Sequence, residues 1–219
     1  MLFRNIAYDV KAVLERDPAA RNAVEVLLLY PGIKAVILHR VAHFFYRHRL
    51  KFIARLVSQT ARFFTGIEIH PGAVLGRGVF IDHGMGVVIG ETAVVGDNCT
   101  IYQGATLGGT GKEKGKRHPT IGNNVMVGSG AKILGPFTVG DNSKIAAGAV
   151  VLSEVPPDST CVGVPARIVK REGVRVEADL DQCSVPDPVS MQLCTLSVHI
   201  ANLEKKILEL TEQLGKEEK

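Results

Sequence analysis

The sequence predicts a parallel β-helix with a helical segment before it and a coiled-coil-like helix after it. Three features carry that reading: a helix-like stretch over residues 1 to 66, a six-residue repeat over 67 to 156, and a heptad over 193 to 215 beyond an exit segment and linker at 157 to 192. A period of six fits neither a helix at about 3.6 residues per turn nor a flat two-sided strand. It fits a chain that turns a corner every six residues, so that three hexads close a triangular coil and coils stack about 4.8 Å apart.

The helical head is read from its start and stop signals. Asp17-Pro18 has the form of an N-cap with proline at the first helical position, leading into AARNAVEVLLLY, and Pro31-Gly32 ends that helix. A second helix is expected over Lys34 to Arg47, with Val36, Arg40 and His43 near one face. A third is expected from about Leu50 to Phe64, stopping before Gly66. So short a helical segment is marginal alone, and it is expected to pack on the end of the β-helix or on another subunit.

Within the repeat the lead positions are Ile69, Leu75, Ile81 and Val87, then, after a slip of two residues, Ile89, Val95, Ile101 and Leu107. After a break they resume at Ile121, Val127, Ile133, Val139, Ile145 and Val151. The leads point inward, and the fifth position of each hexad is small or aliphatic, as at Ala73, Cys99 and Ala131. The break, GTGKEKGKRHPT over residues 109 to 120, holds three glycines and five basic residues counting His118. That much charge cannot be buried, so the loop is expected to project from a corner, where solenoids commonly bind. Beyond the prolines of the exit segment, Leu193, Leu196, Ile200, Leu203, Ile207, Leu210 and Leu214 alternate in spacing between three and four, with Glu and Lys between. Such a seam fits association of several chains, as a parallel three-stranded coil; a single helix lying on its own β-helix gives the same pattern.

Hydrophobic residues make up 46% of the chain and tryptophan is absent, so the core must be mostly aliphatic. Cys99, Cys161, Cys183 and Cys194 lack the spacing of a zinc site or disulfide framework, and reduced thiols are expected. The net charge is +4, with 11 Lys or Arg against 4 Asp or Glu in residues 1 to 66. Those basic residues are dispersed among apolar ones without a nucleic-acid pattern. Neither a signal peptide nor a membrane-spanning segment is expected, and a cytoplasmic protein is expected.

Chemistry gathers around His70, His83 and His118. His83 follows Asp82, and His118 follows Arg117 at the end of the projecting loop. With Glu68 they supply a base, a carboxylate to orient it, and both signs of charge for a zwitterionic substrate. The segments IHPGAVLGRGVFIDHGMGVVIGETAVVG, TLGGTGKEKGKRHPTIG, VGSGAKILGPFTVGDNSKIAAGAVV and VGVPARIV resemble the serine O-acetyltransferase family over roughly residues 12 to 170. Hexads are common to many acyltransferases, whereas DHG…GETAVVG together with GGTGK…RHP is specific.

That resemblance implies a left-handed β-helix, sites in grooves between subunits, and transfer of the acetyl group of acetyl-CoA to the hydroxyl of L-serine. It implies His83 as general base and Glu68, where the family more commonly has aspartate, as its orienter. Asp17 and Asp82 would contact the substrate ammonium and Arg117 its carboxylate, while His118 would help bind serine and support proton transfer. Acetyl-CoA would lie against Gly108, Gly109, Ala131 and Lys132, with no tightly bound cofactor and no metal. A homotrimer is favoured over a hexamer because only 66 residues precede the first clear hexad. L-cysteine would act as feedback inhibitor. Relatives bind O-acetylserine sulfhydrylase through a C-terminal peptide ending in isoleucine, and this sequence ends in GKEEK without that apolar anchor.

The residues suit those roles. A serine hydroxyl needs a base within about 2.6 to 3.2 Å, and imidazole titrates near 6.5. Rival readings are a metal site using His83 and His118, an O-acetyltransferase for a sugar or xenobiotic, and a scaffold. The first lacks a close second histidine, since Asn123 stands five residues beyond His118. The second would not need paired charges of opposite sign, and the third would not need Asp82-His83 or Arg117-His118.

Overall fold

The structure, a computed structural model, describes residues 2 to 111, 114 to 170, and residues 196, 197, 199, 200, 203, 206 and 207. The chain divides into two compact units, Met1–Val185 and Pro186–Lys219. The first opens with four helices: α1 (Leu2–Arg16), α2 (Ala23–Leu29), α3 (Pro31–Arg47) and α4 (Lys51–Thr65). Two signals in this stretch are used differently from the sequence expectation. Asn22, not Asp17, caps α2, its side chain accepting the Glu25 N–H at 2.9 Å. Asp17 closes a turn after α1 by accepting the N–H of Ala19 at 2.8 Å, a local bond that competes with helix initiation. Pro31 begins α3 instead of ending α2, since an N-terminal proline forfeits no helical hydrogen bond. Gly66 ends α4 in the left-handed conformation expected of a C-terminal cap.

The coils follow. The first holds β1 (Glu68–Ile69), β2 (Val74–Leu75) and β3 (Phe80–Asp82); the second β4 (Val88–Ile89), β5 (Val94–Val95) and β6 (Thr100–Tyr102). The third holds β7 (Thr106–Gly108), β8 (Thr120–Ile121) and β9 (Met126–Val127); the fourth β10 (Lys132–Leu134), β11 (Thr138–Val139) and β12 (Lys144–Ile145). Then come β13 (Val150–Val151), β14 (Ser159–Val162) and β15 (Arg167–Lys170). Every third strand stacks in parallel, giving faces β1-β4-β7-β10-β13, β2-β5-β8-β11 and β3-β6-β9-β12-β14, the last closed by antiparallel β15. Lead residues stack on lead residues, as Ile69, Ile89, Leu107, Ile133 and Val151 do along the five-stranded face. All the leads are buried except Leu75, which is half-buried.

The head closes the open end of this column and shares its core. Ala35 and Val36 of α3 join the aliphatic cluster of the coils. A Cβ on Gly32 would lie 2.0 Å from the Ile81 carbonyl oxygen, so only glycine permits that approach. Buried Asp9 pairs with Arg40 at 2.7 Å and accepts the Gly78 N–H at 2.7 Å. Arg16 reaches the next corner, donating to the Asn98 carbonyl at 3.0 Å and to Thr100 Oγ1 at 2.9 Å.

In the second unit Leu196, Ser197, His199, Ile200, Leu203, Lys206 and Ile207 are helical, and Leu196, Ile200, Leu203 and Ile207 of the expected seam are exposed. Leu193, Leu210 and Leu214 lie outside the described residues. Among the described residues no helix is long and apolar enough to cross a membrane.

Candidate active site

The residues singled out by sequence occupy two corners of the coil, one on each side of the five-stranded face. The corner between β3 and β4 is enlarged: stacked Ile69 and Ile89 are 20 residues apart, against 18 for Ile89 and Leu107. The two extra residues are His83 and Gly84, both left-handed with φ of 56° and 72°. Val87 therefore becomes a buried corner residue and not a lead. A left-handed backbone is uncommon for a residue with a Cβ and marks the position as specialised. His83 is exposed there.

Carboxylates gather beside it. Asp82 at the end of β3 is half-buried, and burial raises its carboxyl above the usual range; His83 opposes that shift and Asp17 adds to it. Tyr30 donates its hydroxyl to Asp17 Oδ2 at 2.7 Å. Burial, Asp17, Glu25 and Asp82 together push the Tyr30 phenol up to about 12. Asp17 and Asp82 thus create one region of negative charge next to His83. Glu68 is instead ion-paired with Arg62 at 3.2 Å, and both side chains are partly exposed. The pairing of Glu68 with His83 that the resemblance implies is not formed in this structure. A solvated ion pair of this kind is weak enough to exchange.

At the corner between β7 and β8 the projecting loop returns as Lys116, Arg117 and His118. His118 is buried, and its Nδ1 accepts the Thr92 N–H at 3.2 Å and lies 2.9 Å from Thr92 Oγ1. The same Oγ1 accepts the backbone N–H groups of Arg117 and His118, each at 3.1 Å. Lys116 Nζ donates to the Thr92 carbonyl at 2.8 Å. Arg117 pairs with Glu91 at 2.9 Å, and Tyr46 donates to the other Glu91 oxygen at 3.1 Å. Burial, with Arg117 and Lys116, lowers the His118 pKa against the opposing pull of Glu91. His70 belongs to this corner two coils earlier, with Nδ1 accepting the Gly72 N–H at 3.0 Å and its pKa lowered by burial.

The residues expected to meet acetyl-CoA differ in availability. Gly109 is exposed under the Arg117 side chain, while Gly108 ends β7 with its carbonyl on the Gly135 N–H at 3.1 Å. Ala131 is fully buried, with its N–H and carbonyl both spent on coil hydrogen bonds. Lys132 Nζ turns to the preceding coil, donating to the Gly104 carbonyl at 2.5 Å and Thr106 Oγ1 at 3.0 Å. A mostly apolar cavity of about 600 Å³ between α3 and β2, lined by His39, Arg40, Phe44 and Val74 among others, contains none of these residues. Among the described residues no cluster of three His, Cys, Asp or Glu side chains could hold a metal ion.

One chain therefore brings Asp17 and Asp82 to His83, and separately brings Glu91 and Thr92 to Arg117 and His118; it does not bring the two histidines to a common point. Sequence reasoning overlooked Tyr30, Tyr46, Glu91 and Thr92. The available signal was the polar pair Glu91-Thr92 at a hexad corner within GETAVVG.

The family model described as bacterial transferase hexapeptide (six repeats) matches residues 118–153. The chain is 57% identical over 206 residues to a serine acetyltransferase of Synechococcus elongatus, covering 94% of this chain and 84% of that protein. A Neisseria gonorrhoeae serine acetyltransferase solved in complex with serine superposes with a TM-score of 0.74 at 46% identity, covering 77% of this chain and 69% of that one. A serine acetyltransferase solved in complex with cysteine gives 0.81 at 40% identity, covering 84% and 72%.

Proposed function

The chain belongs to the serine acetyltransferases, hexapeptide-repeat enzymes built on a left-handed β-helix, and we propose that it transfers acetyl directly, at a site completed by two neighbouring chains. The reaction moves the acetyl group of acetyl-CoA to the hydroxyl of L-serine, giving O-acetyl-L-serine and CoA, the first step of cysteine biosynthesis. The observation that carries the divided site is the separation of Asp82-His83 from Arg117-His118 across the five-stranded face. In a trimer that turns these faces towards a threefold axis, the first corner of one chain meets the second corner of the next.

In that groove Asp17 and Asp82 receive the serine ammonium, and Arg117 of the adjoining chain receives the carboxylate. Paired charges of this kind discriminate, because an acceptor lacking either group leaves a site charge unpaired. The serine hydroxyl then points to His83, with Glu68 released from Arg62 to orient the ring. His83 takes the hydroxyl proton as the oxygen attacks the thioester carbonyl. Negative charge grows on the carbonyl oxygen, which needs a hydrogen-bond donor. Collapse expels the CoA thiolate, which takes the proton back from His83. Acetyl-CoA lies along the groove by the Gly108-Gly109 backbone, with Lys132 free to turn from the preceding coil towards the phosphates. Neither described cysteine serves as an acetyl carrier: burial pushes the thiols of Cys99 and Cys161 up to about 12 and about 11. L-cysteine carries the same ammonium and carboxylate as serine and competes for their partners, a reading supported by the cysteine complex of the related enzyme.

The test is serine-dependent release of CoA by the wild type and by His83→Ala, with assembly checked by light scattering. Loss of a general base should cost about 10²- to 10⁴-fold in rate while the oligomer stays intact. An assembled His83→Ala variant with wild-type turnover would refute the assignment.

A further inference from the structure

Thr92 engages the end of the projecting loop through its N–H, its carbonyl and its hydroxyl. We propose that Thr92 is a positioning residue for the reaction, holding His118 as the Nε2–H tautomer so that this histidine serves the substrate carboxylate as a hydrogen-bond donor beside Arg117. The inference rests on the serine-acetylating reading above and assigns removal of the serine proton to His83 alone.

The tautomer follows from the hydrogen-bond inventory. Thr92 Oγ1 already accepts two backbone N–H groups, from Arg117 and His118. Its own O–H is left to donate to His118 Nδ1 at 2.9 Å, and the Thr92 N–H donates to the same nitrogen at 3.2 Å. A ring nitrogen that receives two donors cannot carry a proton, so in the neutral ring the hydrogen sits on Nε2. Forming imidazolium would set an Nδ1–H against both donors. Burial and the Arg117 charge act in the same direction.

The seat is rigid on its other sides as well. A Cβ at Gly90 would lie 2.0 Å from His118 Cδ2 and 2.1 Å from Nε2, so the ring occupies space that only glycine leaves. Glu91, held by Tyr46, anchors the Arg117 guanidinium. Three consecutive residues, Gly90, Glu91 and Thr92, thus place both substrate-facing side chains of the loop, although they lie more than twenty residues from it in sequence.

Thr92→Val keeps the shape and the backbone N–H but removes the hydroxyl; Thr92→Ser restores it. In Thr92→Val, kcat/KM for serine should fall about 10- to 100-fold, the usual effect of losing a group that orients a site residue. The loss should appear mainly in KM for serine, with KM for acetyl-CoA unchanged. The acid limb of the kcat/KM profile should stay in place, because an imidazolium at His118 keeps its Nε2–H donor. Thr92→Ser should recover the serine KM. A Thr92→Val enzyme with wild-type serine KM would overturn the proposal, as would a Thr92→Ser enzyme no better than Thr92→Val. Ring ¹⁵N shifts of labelled wild type, assigned with His118→Asn, read the tautomer independently of turnover. A protonated Nε2 with bare Nδ1 supports the assignment even if serine is not the acceptor, and the reverse pattern overturns it.

Discussion

At the scale of single residues, burial decides which ionisable groups stay available. His39 in α3 is nearly inaccessible, its Nδ1 has no hydrogen-bond partner, and burial, with His43 and Arg40 nearby, takes its pKa down to about 3. The unfolded chain protonates this imidazole near 6.5. Below that pH the unfolded state binds a proton the folded state refuses, so stability is complete above about 6.5 and drains away as pH falls towards 3. The slope from this one group is about 1.4 kcal/mol per pH unit. His39→Asn should flatten the decline of the urea midpoint between pH 6 and 4 by roughly one proton; identical slopes in the two proteins would contradict it. Residue-scale features of this kind were only partly legible in sequence. His83 and His118 stood out because each sits in a distinctive polar motif. Thr92 did not, since an outward threonine in a hexad looks like any solvated position until the loop folds back on it.

At the scale of elements, the coils were legible because each strand repeats the same local instruction, aliphatic lead and small corner residue, without needing distant information. The one phase error was Val87, which a strict count of six makes a lead. The coil instead absorbs two residues at His83-Gly84, because a left-handed pair can widen a corner while keeping Ile89 stacked on Ile69. The helical head was less legible. Asp17-Pro18 and Asn22 both carry capping chemistry, and the choice between them follows from Tyr30 holding Asp17. The C-terminal heptad yields a separate prediction. Its described aliphatic residues are exposed on a helical segment, and we propose that they assemble as a parallel three-stranded coil. Removing residues 191 to 219 should lower Tm, by an amount that grows as protein concentration falls; an unchanged Tm across concentrations would exclude the coil.

At the scale of the molecule, the solenoid solves a placement problem. Stacked coils hold corners in fixed columns, so a two-residue enlargement in the first coil and a loop in the third place acid-base chemistry on one edge and carboxylate recognition on another. Neither edge suffices alone. The surface bordering the shared face is also apolar: on α4, which packs on β1 through the Ser58 hydroxyl and the Ile69 carbonyl, Phe52 and Phe63 are 81% and 83% exposed. Apolar patches of that kind mark association surfaces. The divided site is tested most directly by mixing His83→Ala and Arg117→Ala chains through co-refolding and assaying at limiting serine. Each variant alone should be nearly silent, and the mixture should regain about a quarter of wild-type activity per site, the share of interfaces that random assortment in a cyclic trimer equips with both intact residues. A mixture no more active than its separate components would show that each chain works with its own corners, and the shared site would be wrong.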